Sequence, residues 1–86
     1  MKVRLPGLLN SYTNGMNEIN IVGKTIEEVL KNLDIQFPGI KFRFIDEQDH
    51  IRKHMNIFLN NTQVEEISIT VKDQDELFII QALSGG

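Results

Sequence analysis

Cysteine is missing from all 86 residues. Its absence excludes a disulfide framework, a thiolate zinc site and a cysteine nucleophile. Any sulfur chemistry must therefore use something other than a side-chain thiol. Positive charge is also in short supply. Twelve Asp and Glu stand against nine Lys and Arg, a formal net charge of −3, whereas a nucleic-acid binder normally shows a basic face. The short run Arg52-Lys53-His54 is too small to alter that balance. No apolar run approaches the roughly 18 residues of a membrane span. The opening Met-Lys-Val-Arg-Leu-Pro lacks the apolar stretch of a signal peptide. Repeats, linkers and low-complexity stretches are absent as well. The expectation is a single cytoplasmic domain with neither nucleic acid nor membrane as partner.

What remains is ordinary globular material, 41% hydrophobic and 24% charged. Lys2-Val3-Arg4-Leu5 alternates polar and apolar, the period of a half-buried strand, until Pro6-Gly7 interrupts it. Asn14-Gly15 signals a turn, because both residues tolerate positive φ. Asn17 to Val22 alternates again, with Ile19 and Ile21 on one face. Thr25 then reads as a helix N-cap. Glu28, three residues on, completes a capping box in which each side chain bonds the other residue's backbone N–H. Ile26, Val29, Leu30, Leu33 and Phe37 follow at helical spacing and form one apolar stripe, which is the buried face of an amphipathic helix. Pro38-Gly39 ends it, since proline disfavours the helical region at the residue before.

The second half is strand-rich. Ile40 to Ile45 fits either a short strand or a second helical turn, and Asp46 to His54 reads as a surface loop. Met55 to Leu59 is a strand closed by Asn60-Asn61, with Thr62-Gln63-Val64 as a hairpin return. Glu65 to Thr70 is connection in which Ile67 and Ile69 can touch the core. Val71 to Glu76 is a polar turn. Leu77-Phe78-Ile79-Ile80-Gln81 is nearly continuous in apolar residues, which places it centrally in a sheet. The order is β-β-α-β-(β)-β. One helix cannot cover both faces of a four- or five-stranded sheet. If Leu77 and Ile79 face the helix, Phe58, Phe78 and Ile80 lie on the open face, close to Leu83. An apolar cluster rimmed by polar residues is a candidate docking site.

The last strand runs straight into Ala82-Leu83-Ser84-Gly85-Gly86. At a glycine usage near 7%, a chain ends in two glycines by chance about once in 200. Glycine has no Cβ, so such a backbone can enter a slot too narrow for other residues. The final residue carries a free carboxylate that another protein's active site can modify. Residues 1–82 are thus expected to form the domain, and 83–86 its tail. Four residues beyond Ala82 reach about 13–14 Å when extended.

These pieces together resemble the MoaD/ThiS family of ubiquitin-like sulfur carriers. The resemblance is carried by Thr25-Ile26-Glu27-Glu28-Val29-Leu30, Phe37-Pro38-Gly39-Ile40, Arg52 to Asn60, Asp73 to Ile80 and the terminal Gly85-Gly86, in the family's order over nearly the whole chain. Gln74 stands where the family often has glycine, and Gln81-Ala82-Leu83 replaces a stretch that commonly holds proline, which leaves the subfamily open. The resemblance implies an α+β, β-grasp fold with a mixed four- to five-stranded sheet on one main helix. It implies no bound cofactor and no catalytic side chain. The tail residues Leu83, Ser84, Gly85 and Gly86 would enter a partner's active site. There, an E1-like adenylyltransferase of the MoeB/ThiF type would consume ATP to adenylate Gly86, and a sulfur donor would convert it to a thiocarboxylate. The sulfur would pass to a sulfur-accepting synthase or a molybdopterin synthase large subunit, for molybdopterin, cysteine or another sulfur metabolite. Phe58, Phe78, Ile80 and Leu83 would form the partner-binding face. The alternative is a ubiquitin-like binding module, or a modifier conjugated through its C-terminus. His50 and His54, four apart, lack the further ligands of a metal site. Asp46, Glu47 and Asp49 beside them read as a solvated loop rather than acid–base machinery.

Overall fold

The computed structural model describes residues 1–82. Strand β1 (Lys2–Arg4) leads through a 3-10 turn, Gly7–Leu9, into a one-turn helix α1 (Asn10–Thr13), and then to β2 (Glu18–Asn20). The main helix α2 (Ile26–Gln36) follows, then a 3-10 turn at Lys41–Arg43 and strands β3 (Met55–Leu59), β4 (Thr62–Val64) and β5 (Glu76–Gln81). The five strands lie in the order β2-β1-β5-β3-β4. β5 is central, parallel to β1 and antiparallel to β3. This mixed sheet on one long helix is the β-grasp arrangement.

Alternation explains which residues face the helix. Val3, Ile19, Ile57, Leu77 and Ile79 point inward and meet Ile26, Val29, Leu30 and Leu33 of α2 in one buried cluster. Phe37 is only half-buried at the helix end. The segment from Ile40 to Ile45, open to two readings in sequence, forms a 3-10 turn that buries Ile40, Phe44 and Ile45 while leaving Phe42 outside. Two further segments differ from expectation. The stretch between Pro6 and Asn14 is helical rather than simple loop, with Leu9 and Thr13 turned into the core. Val71, assigned to a polar turn, is buried against the same cluster.

The start of α2 corrects one detail of the capping box. The Thr25 hydroxyl accepts from the Glu28 N–H at 3.1 Å, as expected, but the Glu28 carboxylate accepts from the Lys24 N–H, not that of Thr25. Thr25 is instead held in a bridge to Thr70. The N–H groups of Ile26 and Glu27 donate to the carbonyls of Ile69 and Ile67, so a distant segment satisfies donors that the first helical turn leaves free. Two residues before the cap, Gly23 lies against the helix. A Cβ there would stand 2.6 Å from Val29 Cγ2 and 2.7 Å from its backbone nitrogen, a space only glycine fits.

Candidate functional site

With the helix on one side of the sheet, even-numbered residues of β1, β2, β3 and β5 face the other way. The pairing register sets Phe78 opposite Phe58 on one side and Arg4 on the other. Ile80 pairs with Asn56, one step along toward the end of β5. Phe58, Phe78 and Ile80, with Asn60 and Asn61, line a shallow depression of about 300 Å³. Ile80 is 44% exposed and the two phenylalanines are half-buried. The structure thus gathers three of the four residues assigned to the partner face. Leu83 lies outside the described residues, as do Ser84, Gly85 and Gly86.

Beside the depression the same face turns ionic. Arg4 Nη1 approaches Glu18 at 3.1 Å, Arg4 Nε approaches Glu76 at 3.2 Å, and Lys2 joins Glu18 at 3.6 Å. The Arg4 guanidinium sits 5.6 Å from the Phe78 ring centroid, a cation–π contact that orients it across the aromatic. These pairs are solvent-exposed and contribute little stability. They set a charged border on one side of the apolar patch. The opposite border is amide: Gln63 Nε2 donates to Asn56 Oδ1 at 3.0 Å. Sequence reasoning did not single out Arg4, Glu18 or Glu76. Alternation alone gave their face, but the parallel contact between β1 and β5 that joins them to Phe78 is not visible in local pattern.

The N-terminal end of β5 is pinned. Asn60, at φ 55°, accepts from the Glu76 N–H and donates to Asp75 Oδ1, each at 3.0 Å. Asp75 also accepts from the Lys72 N–H. The Asn60 amide, then the Lys72 N–H, hold the Asp75 carboxyl below its usual range. At the other end, Ala82 donates its N–H to the His54 carbonyl at 2.8 Å. This bond ties the last described residue to the turn before β3.

The loop read as solvated is ordered by its own side chain. Asp46 accepts from the N–H groups of Gln48 and His50, and the His50 N–H is the main cause of its lowered pKa. Asp49 adopts φ 64° and pairs with Lys41 at 3.6 Å. Asp46 and Asp49 therefore serve the loop's shape. Among the described residues, no group of three or more His, Cys, Asp or Glu is placed to hold a metal ion. No described helix is long and apolar enough to cross a membrane.

Three comparisons bear on this geometry. Residues 3–86 match the model of the ThiS family. The chain is 27% identical over 89 residues to the sulfur carrier protein CysO of Mycobacterium tuberculosis, covering 98% of this chain and 96% of that protein. Its fold superposes on a chain of the Amycolatopsis orientalis BexX/CysO complex with a TM-score of 0.90 at 28% identity, covering 99% and 98% of the two chains. It also superposes on small archaeal modifier protein 1 from Methanosarcina acetivorans with a TM-score of 0.80 at 26% identity, covering 99% and 94%.

Proposed function

The chain belongs to the ThiS family and is a ubiquitin-like sulfur carrier; from that premise we propose how it carries sulfur and to whom. An E1-like adenylyltransferase of the MoeB/ThiF type docks on Phe58, Phe78 and Ile80 and draws Leu83 to Gly86 over its ATP. A Gly86 carboxylate oxygen attacks the α-phosphorus, the bond to the bridging oxygen breaks, and pyrophosphate leaves. The acyl-adenylate now has a good leaving group where the carboxylate had only hydroxide. A sulfide-level donor attacks the acyl carbon and expels AMP, leaving a terminal thiocarboxylate. Its sulfur then attacks an electrophilic carbon of the acceptor and displaces that carbon's leaving group with its electron pair, and water cleaves the acyl–sulfur bond to restore the carboxylate.

The chain acts in this cycle as co-substrate, with its side chains used for recognition only. A single observation supports the reading: Phe78 and Ile80 of the apolar depression stand on β5, the strand that leads in sequence to Gly85 and Gly86. Likeness to the CysO carriers supports a small sulfur metabolite such as cysteine as the destination, over molybdopterin. Likeness to a small archaeal modifier supports a second use of the same adenylate, in which a lysine amine replaces the sulfur donor and an amide forms.

Intact-mass analysis decides between them. Incubation with ATP, sulfide and the adenylyltransferase should yield a species heavier by one oxygen-to-sulfur exchange, and removal of Gly86 should abolish it. Failure to form that species with the complete chain sinks the carrier mechanism. Conjugates of higher mass in place of the thiocarboxylate support the modifier reading.

A further inference from the structure

A second surface lies beside Gln81, the last residue of β5. The buried Leu9 and Met55 floor a groove of about 380 Å³, which Leu8, Gln81, Arg43, Arg52, Lys53 and His54 also line. Three of the chain's nine Lys and Arg therefore gather here, with a histidine, in a protein of net charge −3. No carboxylate lines the groove, and among the described residues Arg43, Arg52 and Lys53 make no ion pair. The cationic residues come from two segments. The 3-10 turn at Lys41–Arg43 is clamped to Arg52, whose Nε donates to the Phe42 carbonyl at 2.7 Å while its guanidinium lies 4.4 Å from the Phe42 ring centroid. Leu8, 59% exposed, offers an apolar contact at the edge. Ala82, the last described residue, donates its N–H to the carbonyl of His54, which lines this groove.

We propose that this groove is a second docking surface, which receives an acidic segment of the enzyme that takes the tail. The inference rests on the carrier reading above. Charge complementarity argues for the occupant: three cations that form no close ion pair among the described residues, on an otherwise acidic protein, favour a carboxylate-bearing partner surface and steer its approach. Arg43, Lys53 and His54 are exposed and Arg52 is half-buried against Phe42, with apolar residues between them, a lining that suits a peptide segment rather than a small anion. The apolar depression and the groove then divide the task. The depression supplies buried area, and the groove orients the partner at the point where the tail must enter it.

The test is the association rate of the complete chain with its MoeB/ThiF-type adenylyltransferase at low and high salt. Arg43→Glu with Lys53→Glu should slow association about tenfold or more at low salt, and the difference should shrink at high salt, where exposed charges are screened. Lys24→Glu with Lys31→Glu, exposed residues just before and within α2, changes net charge equally and should slow it far less. Circular dichroism should show both variants folded, and saturating enzyme should still yield thiocarboxylate. A rate unchanged by the groove variant, an equal loss in the control, or a loss independent of salt overturns the proposal. So does a saturable shift of the groove's amide resonances with inorganic pyrophosphate beyond that from chloride at matched ionic strength, which would make it a small-anion site. Absence of thiocarboxylate from every chain, wild type included, overturns the carrier reading itself.

Discussion

Strand β5 presents two different surfaces from one stretch of apolar residues. Leu77 and Ile79 are 0% and 2% exposed and belong to the core, while Phe78 and Ile80, their immediate neighbours, meet solvent. Hydrophobicity does not distinguish the two pairs; their side of the pleat does. The inward pair is matched by a helix that fills the space against it. The outward pair has no covering element in the described chain and borders ions and amides instead. Apolar side chains on such a face cost solubility and return little folding energy, which is why a partner is the natural reading of them.

The sharpest way to break this comparison is to truncate one side chain from each surface. Leu77→Ala should cost about 2–5 kcal/mol in urea unfolding, through lost burial and the cavity left behind. Ile80→Asp should stay within about 0.5 kcal/mol of wild type, as surface changes usually do, yet lose most affinity for the adenylyltransferase in calorimetry. Equal stability losses would erase the distinction, and unchanged affinity would place the docking face elsewhere. The next effect concerns the element that covers the inward side. Gly23→Ala forces a methyl onto Val29 and should cost about 1–3 kcal/mol, read by the same unfolding curves. Thr25→Ala removes the helix cap for about 1 kcal/mol. Thr25→Ser, which keeps the hydroxyl, should recover most of that loss.

The smallest effect tests how the start of β5 is held. The Asp75 carboxyl titrates below its unfolded value, so its contribution is present above that value and fades as pH falls through the folded one. Asp75→Asn should therefore lower the urea midpoint slightly at neutral pH, and the gap to wild type should close below about pH 4. A gap that persists in acid would mean the carboxylate's charge is not what pins the strand.

Much of this architecture could be read from residue pattern. Alternation in Met55 to Leu59 and in Leu77 to Gln81 separated Phe58, Phe78 and Ile80 from the core set, because side-chain direction in a strand depends only on parity. The stripe from Ile26 to Leu33 located the helix for the same kind of reason. The capping box was half right: the Thr25 hydroxyl bond is local, but the partner of Glu28 depended on the bridge between Thr25 and Thr70. The helical turn at Asn10–Thr13 and the burial of Val71 were not legible, since both come from filling space beside distant elements.

The chain by itself determined which residues can be inside, where the main helix begins and ends, and that two glycines stand a few residues beyond the last strand. These are consequences of periodicity, capping and glycine's missing Cβ, all set within a few residues. Only the tertiary structure decided what stands beside what. It placed Arg4 against Phe78 through a parallel pairing of the first strand with the last, and it brought Arg43 to Arg52, Lys53 and His54 through the bridge between Ile45 and Ile51. The short basic run Arg52-Lys53-His54, negligible in an acidic sequence, forms with Arg43 the cationic border of a groove beside the end of β5. Charge acts through space, so its meaning waits on the contacts that long-range pairing creates.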